Sequence, residues 1–118
     1  MKYFNLIFFV SCLKWAAIAL ITLFCGLFTI VLSAFSPAIA CKTFVKLWGK
    51  LIMLACNIKL KVEGLENISN KPLIVMYNHK SFFDIFCFSS FMPYDWRAMM
   101  KKELLNYPIF GQAVKIMG

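Results

Sequence analysis

Residues 73–88 read LIVMYNHKSFFDIFCF, and the choice between strand, loop and helix along this stretch decides the fold. Residues 73–77 form a continuous apolar run rich in branched side chains, closed on one side by Pro72 and on the other by Asn78-His79-Lys80-Ser81. Such a run predicts a buried central strand. From Ser81 the segment FFDIFCFSSF predicts a helix. Ser81 as N-cap, with Asp84 three residues on, resembles a capping box with aspartate in place of the usual glutamate.

Working outward, NIKLKVEG (57–64) alternates apolar and polar residues and ends at Gly64, which predicts a short strand. LENISNKP is turn-rich. After Pro93, WRAMM (96–100) predicts a second buried strand. KKELLNYPIFGQAVKIMG then predicts a helical turn, a break at Pro108 and another helix running to Gly118. Strand, helix, strand, helix in that order predicts an α/β domain over 59–118.

What precedes this domain is a different kind of sequence. Hydrophobic residues make up 62% of the 118 and charged residues only 15%, too apolar for an ordinary soluble domain. No charge occurs over 15–41, and WAAIALITLFCGLFTIVL (15–32) alone is close to the roughly 20 apolar residues that a membrane helix needs. YFNLIFFVSCL (3–13) either lengthens that span or forms the first arm of a hairpin dipping into one leaflet. A cleaved signal peptide is the competing reading, with Lys2 as its positive start, Ala38-x-Ala40 as cleavage pattern and Cys41 as a lipoprotein-like cysteine. The apolar region is about twice the length of a signal-peptide core and contains Lys14, which favours a retained anchor over 1–40.

The net charge of +8 is unevenly spread. Lys42, Lys46, Lys50, Lys59 and Lys61 follow the apolar segment, and Lys2 and Lys14 precede its main part. The positive-inside rule then places the C-terminal portion in the cytoplasm. Lys42, Lys46 and Lys50 are four apart and share one face of a helix over 41–58, whose remainder includes Phe44, Val45, Leu47, Trp48, Leu51 and Ile52. That pattern fits a basic amphipathic helix on an anionic membrane surface. It equally fits a solvated face of a helix packed on its own domain. Nucleic acid is a poor match for lysines interleaved with membrane-type residues and a single arginine. Five scattered cysteines without a C-x-x-C pair, together with one histidine, argue against a zinc site and against a disulfide framework. No metal or cofactor is expected.

That one histidine, His79, stands five residues before Asp84. On one continuous helix the two would sit about 140° apart. The strand–loop–helix reading removes the separation, because a carboxylate in the first helical turn can reach back to the loop at the strand's carboxyl end, where open α/β sheets bind ligands. A histidine titrates near neutral pH, and a carboxylate on one ring nitrogen fixes its tautomer and stabilises the imidazolium. No serine or cysteine nucleophile is identifiable beside the pair. The chemistry that suits it is deprotonation of a substrate hydroxyl that attacks an activated acyl group. The structural alternative is that Asp84 only caps its helix and His79 satisfies a carbonyl.

Asn78-His79-Lys80-Ser81-Phe82-Phe83-Asp84 resembles the N-H-x-x-x-x-D motif of the glycerolipid acyltransferases, in particular of bacterial 1-acylglycerol-3-phosphate acyltransferases. RAMMKKELLNYPIFGQAVKIMG (97–118) is similar to that family's K-K-x-L…P-x-F-G-x…G block. The order of anchor, basic helix, strand ending in VEG, buried strand, His–Asp motif and lysine block also matches. The resemblance implies a membrane helix or helical hairpin followed by an α/β domain of that family. It implies that His79 is the general base on the hydroxyl of a lysophospholipid acceptor and that Asp84 orients it. Asn78 shapes the motif loop, and Lys101 with Lys102 offers charge to a phosphate. The acyl donor would be acyl-CoA or acyl carrier protein, and the product phosphatidic acid. Family members continue with an arginine-bearing strand and a P-E-G-T-R-like segment assigned to the acceptor phosphate. Glu63-Gly64 lies upstream of the motif without proline or arginine, and Arg97 precedes the lysine block. The expectation is therefore an N-terminal part of such an enzyme, unable to complete its sheet alone. The alternative is a catalytically inactive membrane-anchored remnant or interaction protein. An in-frame continuation beyond codon 118 encoding the arginine segment would separate the two.

Overall fold

Residues 2–69, 71–94 and 96–117 are described by a computed structural model, without the side chains of Lys2, Tyr3, Phe4, Cys41 and Met117. The readings placed on Lys2, on Cys41 and on Gly118 lie outside the described residues. Charge-free apolar sequence favours one long helix, and α1 runs unbroken over Lys2–Ser33. Its stretch Asn5–Ser33, 29 residues, is long and apolar enough to cross a membrane. At 1.5 Å per residue that is roughly 43 Å, more than the hydrocarbon core requires. Residues 3–13 are thus the first turns of this helix and not a separate hairpin arm.

The chain does turn back, but after Ser33. Ser36 Oγ accepts the Ile39 N–H at 3.4 Å, and Pro37 opens α2 (Pro37–Ala40), where its missing N–H costs no bond. A π-helical turn over Cys41–Val45 leads into α3 (Lys46–Ala55). The helix expected around Lys42, Lys46 and Lys50 therefore forms, with Lys42 and Lys50 exposed and Lys46 half-buried. Its other face buries Gly49, Ile52 and Met53. Asn57 ends it at φ 55°, and the Ile58 N–H reaches back to the Met53 carbonyl at 2.9 Å, a Schellman closure in which asparagine takes the left-handed position.

Two further helices complete the molecule, α4 (Asp84–Phe91) and α5 (Phe110–Met117). α4 lies across α3, and α5 lies against α1. The approach of α3 to α4 depends on Gly49, since a Cβ there would stand 2.6 Å from the Phe86 carbonyl oxygen and 2.8 Å from the Ser90 nitrogen. Ile52, Met53, Cys56 and Phe86 form the core, with Ile18 and Ile21 of α1 packed on it alongside Trp48 and Phe83. Trp48 also donates its Nε1–H to Thr22 Oγ1 at 3.0 Å, tying α3 to α1. On the other side, the Ile109 side chain sits over Gly26 of α1, and Ile109 itself holds a left-handed φ of 64° that branched residues rarely adopt.

The α/β expectation is overturned. No strand occurs among the described residues, and the fold is helical. The runs 58–64, 73–77 and 96–100 have no regular secondary structure. The physical reason lies in where each element finds its partners. A helix closes its hydrogen bonds within four residues, whereas a strand has none until a second strand lies beside it. Residues 73–77 were expected to be a buried centre, yet Ile74 is 87% and Met76 88% exposed. Apolar composition marked them as suited to burial; it did not supply a neighbour.

Candidate active site

The segment 78–84 folds around one carboxylate. Asp84 is the first residue of α4, and its Oδ2 accepts the backbone N–H groups of Lys80 at 2.8 Å and Ser81 at 2.9 Å. Ser81 Oγ in turn accepts the Phe83 N–H at 3.2 Å, and the Ser81 carbonyl accepts the Asp84 N–H at 3.1 Å. The bonds are reciprocal, as in a capping box, but they close the turn ahead of the helix: the N-cap position of α4 is Phe83, which makes no side-chain capping bond, and not Ser81 as expected. The loop is drawn tight enough that His79 Nδ1 comes within 3.2 Å of the same Oδ2.

The electrostatics follow from these bonds. Asp84 is held below the ordinary carboxyl value of 3.8, first by the Ser81 N–H, with burial as the next-largest effect opposing it and the Lys80 N–H and the imidazole adding to the lowering. An ionised Asp84 only accepts, so in the neutral ring the bond to His79 assigns the proton to Nδ1 and the lone pair to Nε2. The His79 side chain is 60% exposed and Asp84 28%, so the imidazole is the more accessible partner of the two. The one cysteine near the pair is no nucleophile. Burial, and then the Asp84 charge, push the Cys87 thiol above its ordinary value, so it stays protonated at neutral pH.

A small cavity of about 270 Å³ adjoins Asp84 and is walled by Tyr77, Asn78, Asp84, Cys87 and Phe88 among others, His79 not being one of them. Asn78 and Asp84 thus line the same cavity. Lys101 and Lys102 are exposed on the segment leading into a 3-10 turn at Lys102–Asn106 and line neither this cavity nor the larger one. The structure thus brings His79 and Asp84 into contact and puts Asn78 on a cavity wall that Asp84 also lines, and neither lysine lines that cavity. The larger cavity, about 650 Å³, lies between α1, α3 and α5; its wall is mostly apolar and includes Ile85, Arg97 and Lys115. Among the described residues no group of three or more metal-ligating side chains assembles. Two features escaped the sequence reading. One is the use of the Lys80 and Ser81 main chain as ligands for Asp84. The other is the ring of Tyr77, which lies against both His79 and Phe88. Only the first had a signal in the sequence, namely the capping spacing.

Comparison with known proteins bears on the family alone. The family model described as Acyltransferase matches residues 59–118. A 1-acyl-sn-glycerol-3-phosphate acyltransferase of Pseudomonas aeruginosa is 34% identical over 67 residues, covering 57% of this chain and 26% of the relative. Enzymes of the same name from Cocos nucifera (36% over 64 residues; 54% of this chain, 20% of the relative) and Saccharomyces cerevisiae (32% over 68; 58% and 22%) are similar to it as well. The chain spans about a quarter or less of the length of these curated relatives. No solved structure matches it.

Proposed function

The chain belongs to the acyltransferase family, and we propose that it serves the transfer of a fatty acyl group to the free hydroxyl of 1-acylglycerol-3-phosphate, giving phosphatidic acid. The observation that carries this reading is the 3.2 Å contact between His79 Nδ1 and Asp84 Oδ2, on an imidazole whose side chain is largely exposed. In the proposed reaction Nε2 takes the proton from the acceptor hydroxyl as its oxygen attacks the thioester carbonyl. The new C–O bond forms, the C–S bond breaks, and the departing thiolate of coenzyme A or acyl carrier protein recovers the proton from the imidazolium. Asp84 keeps the ring in its working tautomer and offsets the charge that the imidazole acquires. Lys101 and Lys102 are proposed as mobile positive charges for the acceptor phosphate, and Asn78 as the residue that shapes the loop ahead of the base. α1 would hold this machinery at the membrane, with the lysine-rich side on the cytoplasmic face.

The absence of Lys101 and Lys102 from the walls of the cavity that Asp84 lines favours a second reading, an inactive membrane-anchored remnant that keeps the motif without a phosphate site. One experiment decides between them. Membranes containing the chain are supplied with lysophosphatidate and a labelled acyl thioester, and the His79→Ala variant is assayed beside the parent. The expected result is transfer by the parent and a loss of about 10²-fold or more in the variant, with membrane attachment kept. Equal transfer by both would sink the general-base assignment, and no transfer by the parent would favour the remnant.

A further inference from the structure

His79 is held by Asp84 at a single point. One hydrogen bond fixes the distance from Nδ1 to Oδ2, but it leaves the imidazole free to swing about that contact, and a ring 60% exposed has solvent on most of its surface. A second contact is needed to set the plane, and the aromatic side chain two residues upstream provides it. The Tyr77 ring meets the imidazole edge-on, with centroids 5.9 Å apart and planes at 82°. Its other partner is Phe88, one turn beyond Asp84 on α4, stacked at 5.4 Å and 13°. Phe88 is itself braced by Trp96 at 5.0 Å and by Phe91 at 5.6 Å, both edge-on. A row of rings therefore runs from Trp96 through Phe88 and Tyr77 to the imidazole. α4 anchors both ends of the arrangement, since Asp84 and Phe88 lie one turn apart on it.

We propose that Tyr77 is a positioning residue for His79: its ring, backed by Phe88, sets the plane of the imidazole that Asp84 holds at one point. This rests on the reading of His79 as the base. The Tyr77 contacts run through the ring, so phenylalanine should substitute and an aliphatic residue should not. Without the ring, the imidazole swings off Asp84 and takes the tautomer it prefers in water, with the proton on Nε2. The nitrogen that must accept the substrate proton is then already protonated. An edge-to-face ring contact of this kind is worth a population ratio of roughly 2- to 12-fold.

The test uses the chain's only histidine, so that ring 15N signals come from one residue. The full chain is labelled with ring-15N histidine, placed in lipid nanodiscs and observed at a pH where the imidazole is neutral. The parent should show mainly Nδ1–H. Tyr77→Leu should raise the ratio of Nε2–H to Nδ1–H by about 2- to 12-fold, while Tyr77→Phe should keep the parent's ratio. Phe88→Leu, which removes the backing ring without touching His79, should shift the ratio in the same direction as Tyr77→Leu. It decides the matter if Tyr77→Leu fails to keep its helical signal. A parent-like ratio in a folded Tyr77→Leu, or in Phe88→Leu, overturns the proposal. So does a Tyr77→Phe variant that behaves as Tyr77→Leu. Because the ratio is read without turnover, failure here is separable from failure of the base assignment, which shows as transfer surviving His79→Ala.

Discussion

Gly49→Ala tests how far the site depends on the crossing of α3 and α4. The added Cβ would stand 2.6 Å from the Phe86 carbonyl oxygen, roughly 0.8 Å inside the 3.4 Å at which ordinary contact begins, and 2.8 Å from the Ser90 nitrogen. Both are backbone atoms of a helix and cannot rotate away, so α4 must shift as a body. Overpacking of this kind costs about 2–3 kcal/mol, near the upper end for inserted carbons. Alanine recovers about 1 kcal/mol of helix propensity over glycine. The net expectation is a destabilisation of about 1–2 kcal/mol, or a fall in Tm of roughly 4–15 °C for a helical unit of this size. Far-UV circular dichroism of the nanodisc-bound chain during heating measures it. Because α4 begins at Asp84, the shift should also weaken the hold on His79, and acyl transfer should drop with the melting point. A variant that melts with the parent, or above it, would refute the claim that the two helices touch at Gly49.

Ile52 is fully buried at the centre of the core, and Ile52→Ala should destabilise by about 2–5 kcal/mol in the same melt. Thr22→Val leaves the Trp48 indole N–H without its 3.0 Å acceptor and should cost about 1–2 kcal/mol; loosening of α3 from α1 would show as a changed tryptophan near-UV signal. Asp84 is ionised more readily when folded than when unfolded, so its contribution is in place above its ordinary value of 3.8. That contribution is lost as pH falls through the lower folded value. The protection of the Lys80 and Ser81 amides against exchange, relative to the unfolded chain at the same pH, should therefore fall on acidification below about pH 4, and Asp84→Asn should blunt that response. An equal fall in the variant would separate the loop's acid sensitivity from Asp84.

Legibility in the sequence followed the range of each interaction. α1, α3 and α4 were readable because their hydrogen bonds and their periodic or continuous apolar character are local. The proximity of His79 and Asp84 was readable for the same reason, since five residues with a serine turn between them allow few closures. The runs 57–64, 73–77 and 96–100 were read as strands from composition, and composition alone does not make a ladder. Their apolar side chains remain, Ile74 and Met76 among the most exposed in the molecule. Tyr77 was out of reach in another way. In irregular chain a separation of two residues does not say whether two side chains face each other, and the stack on Phe88 joins positions eleven apart across a loop.

The Lys14 ammonium reaches the Cys56 carbonyl at 3.4 Å, at the end of α3 where the helix presents its negative pole. With Thr22 bonded to Trp48 further along, α1 is fastened to α3 at two levels and is no slack tether. Once α1 sits in a bilayer, the position of His79 relative to the lipid is set by the same assembly. On the proposed function, a site mounted in this way would explore its surroundings by gliding within the membrane plane, and its encounters with lipid acceptors would become a two-dimensional search. Their rate would be governed by surface density and lateral diffusion, with bulk concentration entering only through the soluble acyl donor.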